Sequence, residues 1–137
     1  MAVTATLAAS QPTCKHILVV DDDASIRVLL RTFFEKIGYL VTVTSSGLEA
    51  LRCFQESKED RAIDIVLLDM TMPDMNGIQV CQNLRKESDV PVLILSGVDE
   101  DEELLAKAGV EKGDFIQKPF SVREVEARVK GVLQQTY

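Results

Sequence analysis

The sequence predicts a single α/β domain whose parallel sheet is covered by helices on both faces. Five short runs rich in β-branched residues alternate with stretches of helical periodicity, the mark of strand–helix–strand crossovers. With 137 residues, 46% of them hydrophobic and 27% charged, the chain is long enough for one buried core and leaves no room for a second folded domain. The first 14 residues, small and polar, read as a flexible tail, and 15–137 as the domain.

The strands are expected at His16–Val20, Leu40–Thr44, Asp64–Leu68, Pro91–Leu95 and Asp114–Gln117. The first helix should start near Ala24 with Asp23 as its cap, bury Ile26, Leu29, Leu30, Phe33, Phe34 and Ile37, and end at Gly38. A second should run over Gly47–Ser57 and bury Leu48, Leu51, Cys53 and Phe54, followed by a solvated loop up to Arg61. A third spans Gly77–Lys86 with Ile78, Cys81 and Leu84 inward. The fourth, over Asp99–Ala108, is acidic at its start, which complements the helix dipole. The last follows Lys118, Pro119 and Phe120, with Ser121 as cap, Glu124 three residues on, and Val122, Val125, Val129 and Val132 inward.

Composition excludes several classes. A net charge of −7 and a pI near 4.7 give no footprint for nucleic-acid phosphates, so no direct nucleic-acid partner is expected. No segment approaches the roughly 20 apolar residues that span a bilayer, and the start of the chain lacks the basic residues of a secretory signal. The three cysteines, Cys14, Cys53 and Cys81, have neither zinc-site nor disulfide-framework spacing. Their odd number fits a reducing cytoplasm. The lone histidine, His16, reads as structural.

Right-handed crossovers put all strand ends on one edge, where ligands bind in open α/β sheets. Four polar signals fall there: Asp21 and Asp22, Asp69, Ser96 and Lys118. Taken singly, each is ordinary turn chemistry. Together they place carboxylates, a hydroxyl and an ammonium in one crevice, a hard-oxygen site for a cation beside a fixed positive charge. Magnesium suits it, with manganese as a substitute.

The motifs ILVVDDD (17–23), IVLLDMTMPDMNG (65–77), PVLILSG (91–97) and FIQKPF (115–120) resemble the receiver domain of response regulators over His16 to Gln135. That resemblance implies a flavodoxin-like doubly wound sheet of order 2-1-3-4-5 with five helices. It implies that Asp69 is the phosphoacceptor, and that Asp22 binds magnesium directly and Asp21 through water. The Thr71 backbone carbonyl would be a further ligand. Ser96 would be the switch hydroxyl, Lys118 the phosphoryl-pairing lysine and Phe115 the rotating aromatic. The donor would be a sensor histidine kinase or phosphotransfer protein, and the target a downstream protein or an attached output domain.

Gly97 replaces a more usual alanine, and AGVEKGD (108–114) departs from the family stretch before the last strand. The last helix resembles that of receivers attached to winged-helix DNA-binding domains. In that branch the fourth helix, fifth strand and fifth helix form a phosphorylation-dependent homodimer, and Asp114, Glu124 and Arg128 match some of its pairing positions. Thr71 and Val98, each two residues past a site residue, flank the path of an attacking water. Neither is a base or an amide, so slow self-dephosphorylation without separate substrate turnover is expected. A magnesium-dependent phosphatase would place an acid at position 71, and a flavin-binding module would avoid an acidic first loop.

Overall fold

The computed structural model describes residues 14–58, 61–97 and 115–134. Five strands, β1 (His16–Val20), β2 (Leu40–Thr44), β3 (Ile65–Asp69), β4 (Val92–Ser96) and β5 (Phe115–Gln117), pair in parallel in the order β2-β1-β3-β4-β5. Four helices are described: α1 (Ala24–Lys36), α2 (Gly47–Ser57), α3 (Gly77–Arg85) and α4 (Val122–Gln134). The helix expected over Asp99–Ala108, the first 13 residues of the expected tail, Val98 and Asp114 lie outside the described residues.

Side chains alternate across each central strand, so one apolar run serves two cores. Leu18, Val20, Val66, Leu68, Val92 and Ile94 face α2 and α3, while Ile17, Val19, Ile65, Leu67, Leu93 and Leu95 face α1 and α4. Leu30 and Phe34 of α1 are wholly buried on the second side. Each contributes about 1.5–3 kcal/mol by leaving water.

The helix stripes are narrower than their periodicity predicts. Leu29, Ile37 and Leu48 are exposed, against expectation. In α1 the inward line runs through Leu30 and Phe34, one helical step of about 100° from Leu29. In α2 it runs through Gly47, Ala50 and Phe54, which turns Leu48 outward. In α4, Leu133 completes the line Val125–Val129, and Val122 and Val132 only flank it.

Helix ends follow local chemistry. Asp23 accepts from the Ser25 N–H at 2.8 Å, capping α1 as expected. At its other end Gly38 adopts φ 103°, a left-handed conformation that other residues resist. Its N–H reaches Glu35 O, and the Tyr39 N–H reaches Phe34 O at 3.0 Å, satisfying two terminal carbonyls. The Tyr39 ring then packs edge-on against Phe34.

At the amino-terminal edge of the sheet His16 is buried and structural, as expected. Its Nδ1 lies 2.8 Å from Arg61 O and its Nε2 2.7 Å from Thr42 Oγ1. A carbonyl only accepts, so Nδ1 carries the proton. Its own N–H donates to the Asp64 carboxylate at 2.8 Å, and the Asp64 N–H donates back to His16 O. Asp64 thus serves as a clasp ahead of β3, which begins one residue later than expected.

A candidate phosphoryl-accepting crevice

The opposite edge gathers acids. Asp21 directly follows β1, Asp69 ends β3, and the chain after β5 runs directly into Lys118, whose N–H donates to Ser96 O at 2.6 Å. Lys118 Nζ lies 3.3 Å from Asp21 Oδ2 and 3.1 Å from Asp69 Oδ1. Carboxylate oxygens of Asp21, Asp22 and Asp69 lie within 4.8 Å of one another.

Each acid is held differently. Asp21 is wholly buried; its Oδ1 accepts from the Asp23 N–H at 2.9 Å and its Oδ2 faces Lys118. The guanidinium of Arg27 donates to Asp21 O at 2.8 Å and pins the same turn. Asp22, between these anchors, is exposed. Asp69 is buried, and the Thr71 N–H approaches its Oδ1 at 3.5 Å.

Burial, and then the neighbouring Asp21 charge, push Asp69 up to about 6, against the pull of Lys118 and the Thr71 N–H. Burial opposes the Lys118 ammonium, yet the two carboxylates outweigh it and hold its pKa above the ordinary value. Two carboxylates this close repel by about 4 kcal/mol at an effective dielectric near 20. One ammonium offsets only one of three negative charges. The remaining excess, on oxygen donors, suits a small divalent cation.

Of the other expected site residues, Ser96 is buried at the end of β4, one residue past Leu95, the register partner of Asp69. Phe115 stands apart from the crevice, paired with Ile94 at the start of β5 and packed against the core beneath α2 and α3. Arg128, an expected dimer position, donates to Phe115 O at 3.0 Å within the chain.

The sequence reading overlooked how the loop after Asp69 is held. A Cβ at Gly77 would come within 2.9 Å of Asp69 O, so only glycine lets α3 start against the strand end. The Gly77 N–H closes the loop on Met70 O at 2.8 Å. Asn76 and Gln79 form a reciprocal capping box, a signal legible in their spacing. Asp74 accepts from the N–H groups of Gly47 and Leu48, at 3.1 and 2.9 Å, which no local pattern reveals.

An acidic, lysine-bridged crevice at the carboxyl edge of a 2-1-3-4-5 sheet is the arrangement that the resemblance to receiver domains implies. Comparison with known proteins agrees. The Response regulator receiver domain family model matches residues 17–130, and the chain belongs to that family, a signalling switch and not a classical enzyme. It is 40% identical over 124 residues to the "Probable transcriptional regulator ycf27" of Guillardia theta, covering 90% of this chain and 47% of that protein. It is also 40% identical over 123 residues to the "Alkaline phosphatase synthesis transcriptional regulatory protein PhoP" of Bacillus subtilis, covering 89% and 50%. The chain thus spans about half the length of the curated relatives it matches. Among solved structures, the Francisella response regulator 1452 receiver domain superposes with a TM-score of 0.75 at 34% identity, covering 90% of this chain and 99% of that one. No described helix is long and apolar enough to cross a membrane.

Proposed function

We propose that the chain is a phosphorylation-activated switch that takes a phosphoryl group from a sensor histidine kinase, or from a phosphotransfer protein, onto Asp69. The observation that carries this is Lys118 Nζ within 3.3 and 3.1 Å of Asp21 and Asp69, acids from two neighbouring strands. Asp22, Asp69 and the Thr71 carbonyl would hold Mg2+ (or Mn2+), and Asp21, whose oxygens are engaged by Lys118 and the Asp23 N–H, would act through water. The cation supplies charge neutralisation and Lewis acidity to the incoming phosphoryl oxygens.

An Asp69 oxygen attacks phosphorus in line, forming the O–P bond as the donor N–P bond to imidazole breaks. Lys118 stabilises charge on the equatorial oxygens. The acyl phosphate adds charge and acceptor oxygens, and Ser96 donates its hydroxyl to one of them. Phe115, which begins the strand leading to Lys118, carries that change toward the output face. With Thr71 and Val98 lacking basic groups, the phosphoryl group is lost slowly.

The half-length match to transcriptional regulators supports a receiver that works in the cytoplasm and controls an attached output domain. The face around Glu124 and Arg128 is the dimerisation surface of the phosphorylated form. Incubation with acetyl phosphate and Mg2+ should add one phosphoryl mass to the wild type and none to Asp69→Asn, with EDTA blocking the gain. An equal gain in Asp69→Asn would overturn the assignment.

A further inference from the structure

The first three N–H groups of α2 lack helical partners, as in any helix. The side chain of Ser46, its cap, accepts from the Glu49 N–H at 3.2 Å. The N–H groups of Gly47 and Leu48 are taken instead by the carboxylate of Asp74, in the loop between β3 and α3. Those two bonds hold the Asp74 carboxyl below its usual range. A helix N-terminus favours such a charge. Beside them, a Cβ at Gly47 would overlap the Met75 side chain, so glycine lets the loop lie against the helix. The loop is therefore tied twice: at its base by Gly77 N–H to Met70 O, and at its tip by Asp74. Between the ties lies Thr71, whose N–H faces Asp69.

We propose that Asp74 is a positioning residue: by fastening the loop tip to α2 it presets the Thr71 peptide against Asp69 for cation and phosphoryl binding. This rests on Asp69 being the phosphoacceptor. Asp74 is exposed and three residues from Thr71, so it acts through the backbone and not by touching the ligand.

The test compares the full chain with Asp74→Ala, Asp74→Asn and Ser46→Ala. Hydrogen exchange is read without metal, and Mg2+ affinity by calorimetry. Asp74→Ala should speed exchange over residues 71–76 and raise the Mg2+ dissociation constant about 10-fold, the lower end of what losing an outer-shell support costs. Asp74→Asn, which keeps an acceptor oxygen, should fall between. Ser46→Ala removes a cap of the same helix without touching the loop; it should lower the melting temperature and leave Mg2+ affinity unchanged. Wild-type affinity in Asp74→Ala, or an equal loss in Ser46→Ala, overturns the proposal. Failure of the wild type to bind Mg2+ or to be phosphorylated at Asp69 instead overturns the reading beneath it.

Discussion

The two edges of the sheet handle buried polarity in opposite ways. At the amino-terminal edge, His16, Thr42, Arg61 and Asp64 close a network in which both imidazole nitrogens have partners. At the carboxyl edge, Asp21, Asp22 and Asp69 crowd around one lysine, and Asp69 is driven to about 6. Every buried side-chain N or O among the described residues has a partner, so the edges differ in charge and not in satisfaction. One edge holds the sheet together. The other keeps like charges in place at the expense of stability, an arrangement of oxygen donors that could hold a cation.

Three perturbations probe that contrast, in decreasing order of effect. His16→Ala removes the partner of a half-buried hydroxyl and a carbonyl and leaves a cavity, so urea denaturation should show a loss of about 2–4 kcal/mol. Mg2+ affinity should stay at the wild-type value; a parallel loss would mean that the edges are coupled.

Asp69→Asn should do the reverse. With EDTA present at neutral pH it should stabilise the fold by about 1–2 kcal/mol, allowing for solvent screening and the lost Lys118 pair. The sign follows from proton uptake. Asp69 titrates near 6 in the folded chain and near 4 in the unfolded chain. Between those values the folded state holds more protons, so the Asp69 contribution falls as pH rises from about 4 to about 6 and stays low above. The stability difference between wild type and Asp69→Asn should therefore open across that window. A difference flat in pH would show that the acids do not strain the crevice.

The smallest effect belongs to a pair at neither edge chemistry. Lys58 and Glu87 meet at 2.8 Å with side chains 41% and 34% exposed, so Lys58→Ala should cost at most about 0.5 kcal/mol by thermal melting. A larger loss would mean that surface pairing between α2 and the end of α3 supports the core on that side.

Much of the fold was legible because its signals are local. Apolar runs marked β1 and β2 to the residue, and Asp23, Gly38 and Ser121 marked helix ends through their own backbone chemistry. Boundaries of β3 and β4 moved by a residue because pairing, not composition, ends a strand: Asp69 and Ser96 pair as the last residues of β3 and β4. Leu29, Ile37 and Leu48 looked inward by periodicity, yet the face each helix buries is chosen by how it lies on the sheet.

The site divides along the same line. Which polar residues meet at one edge was legible in the sequence, because acid, hydroxyl and lysine follow apolar strands whose parallel crossing sends them there. Their distances, the raised Asp69, the Arg27 anchor on Asp21 and the grip of Asp74 on α2 were decided only by the tertiary structure. Asp74 meets partners 27 and 26 residues away, and no window of local sequence contains both ends of such a bond. Burial and the approach of like charges are likewise properties of the folded surface, so the pKa of Asp69 exists only once the strands have come together.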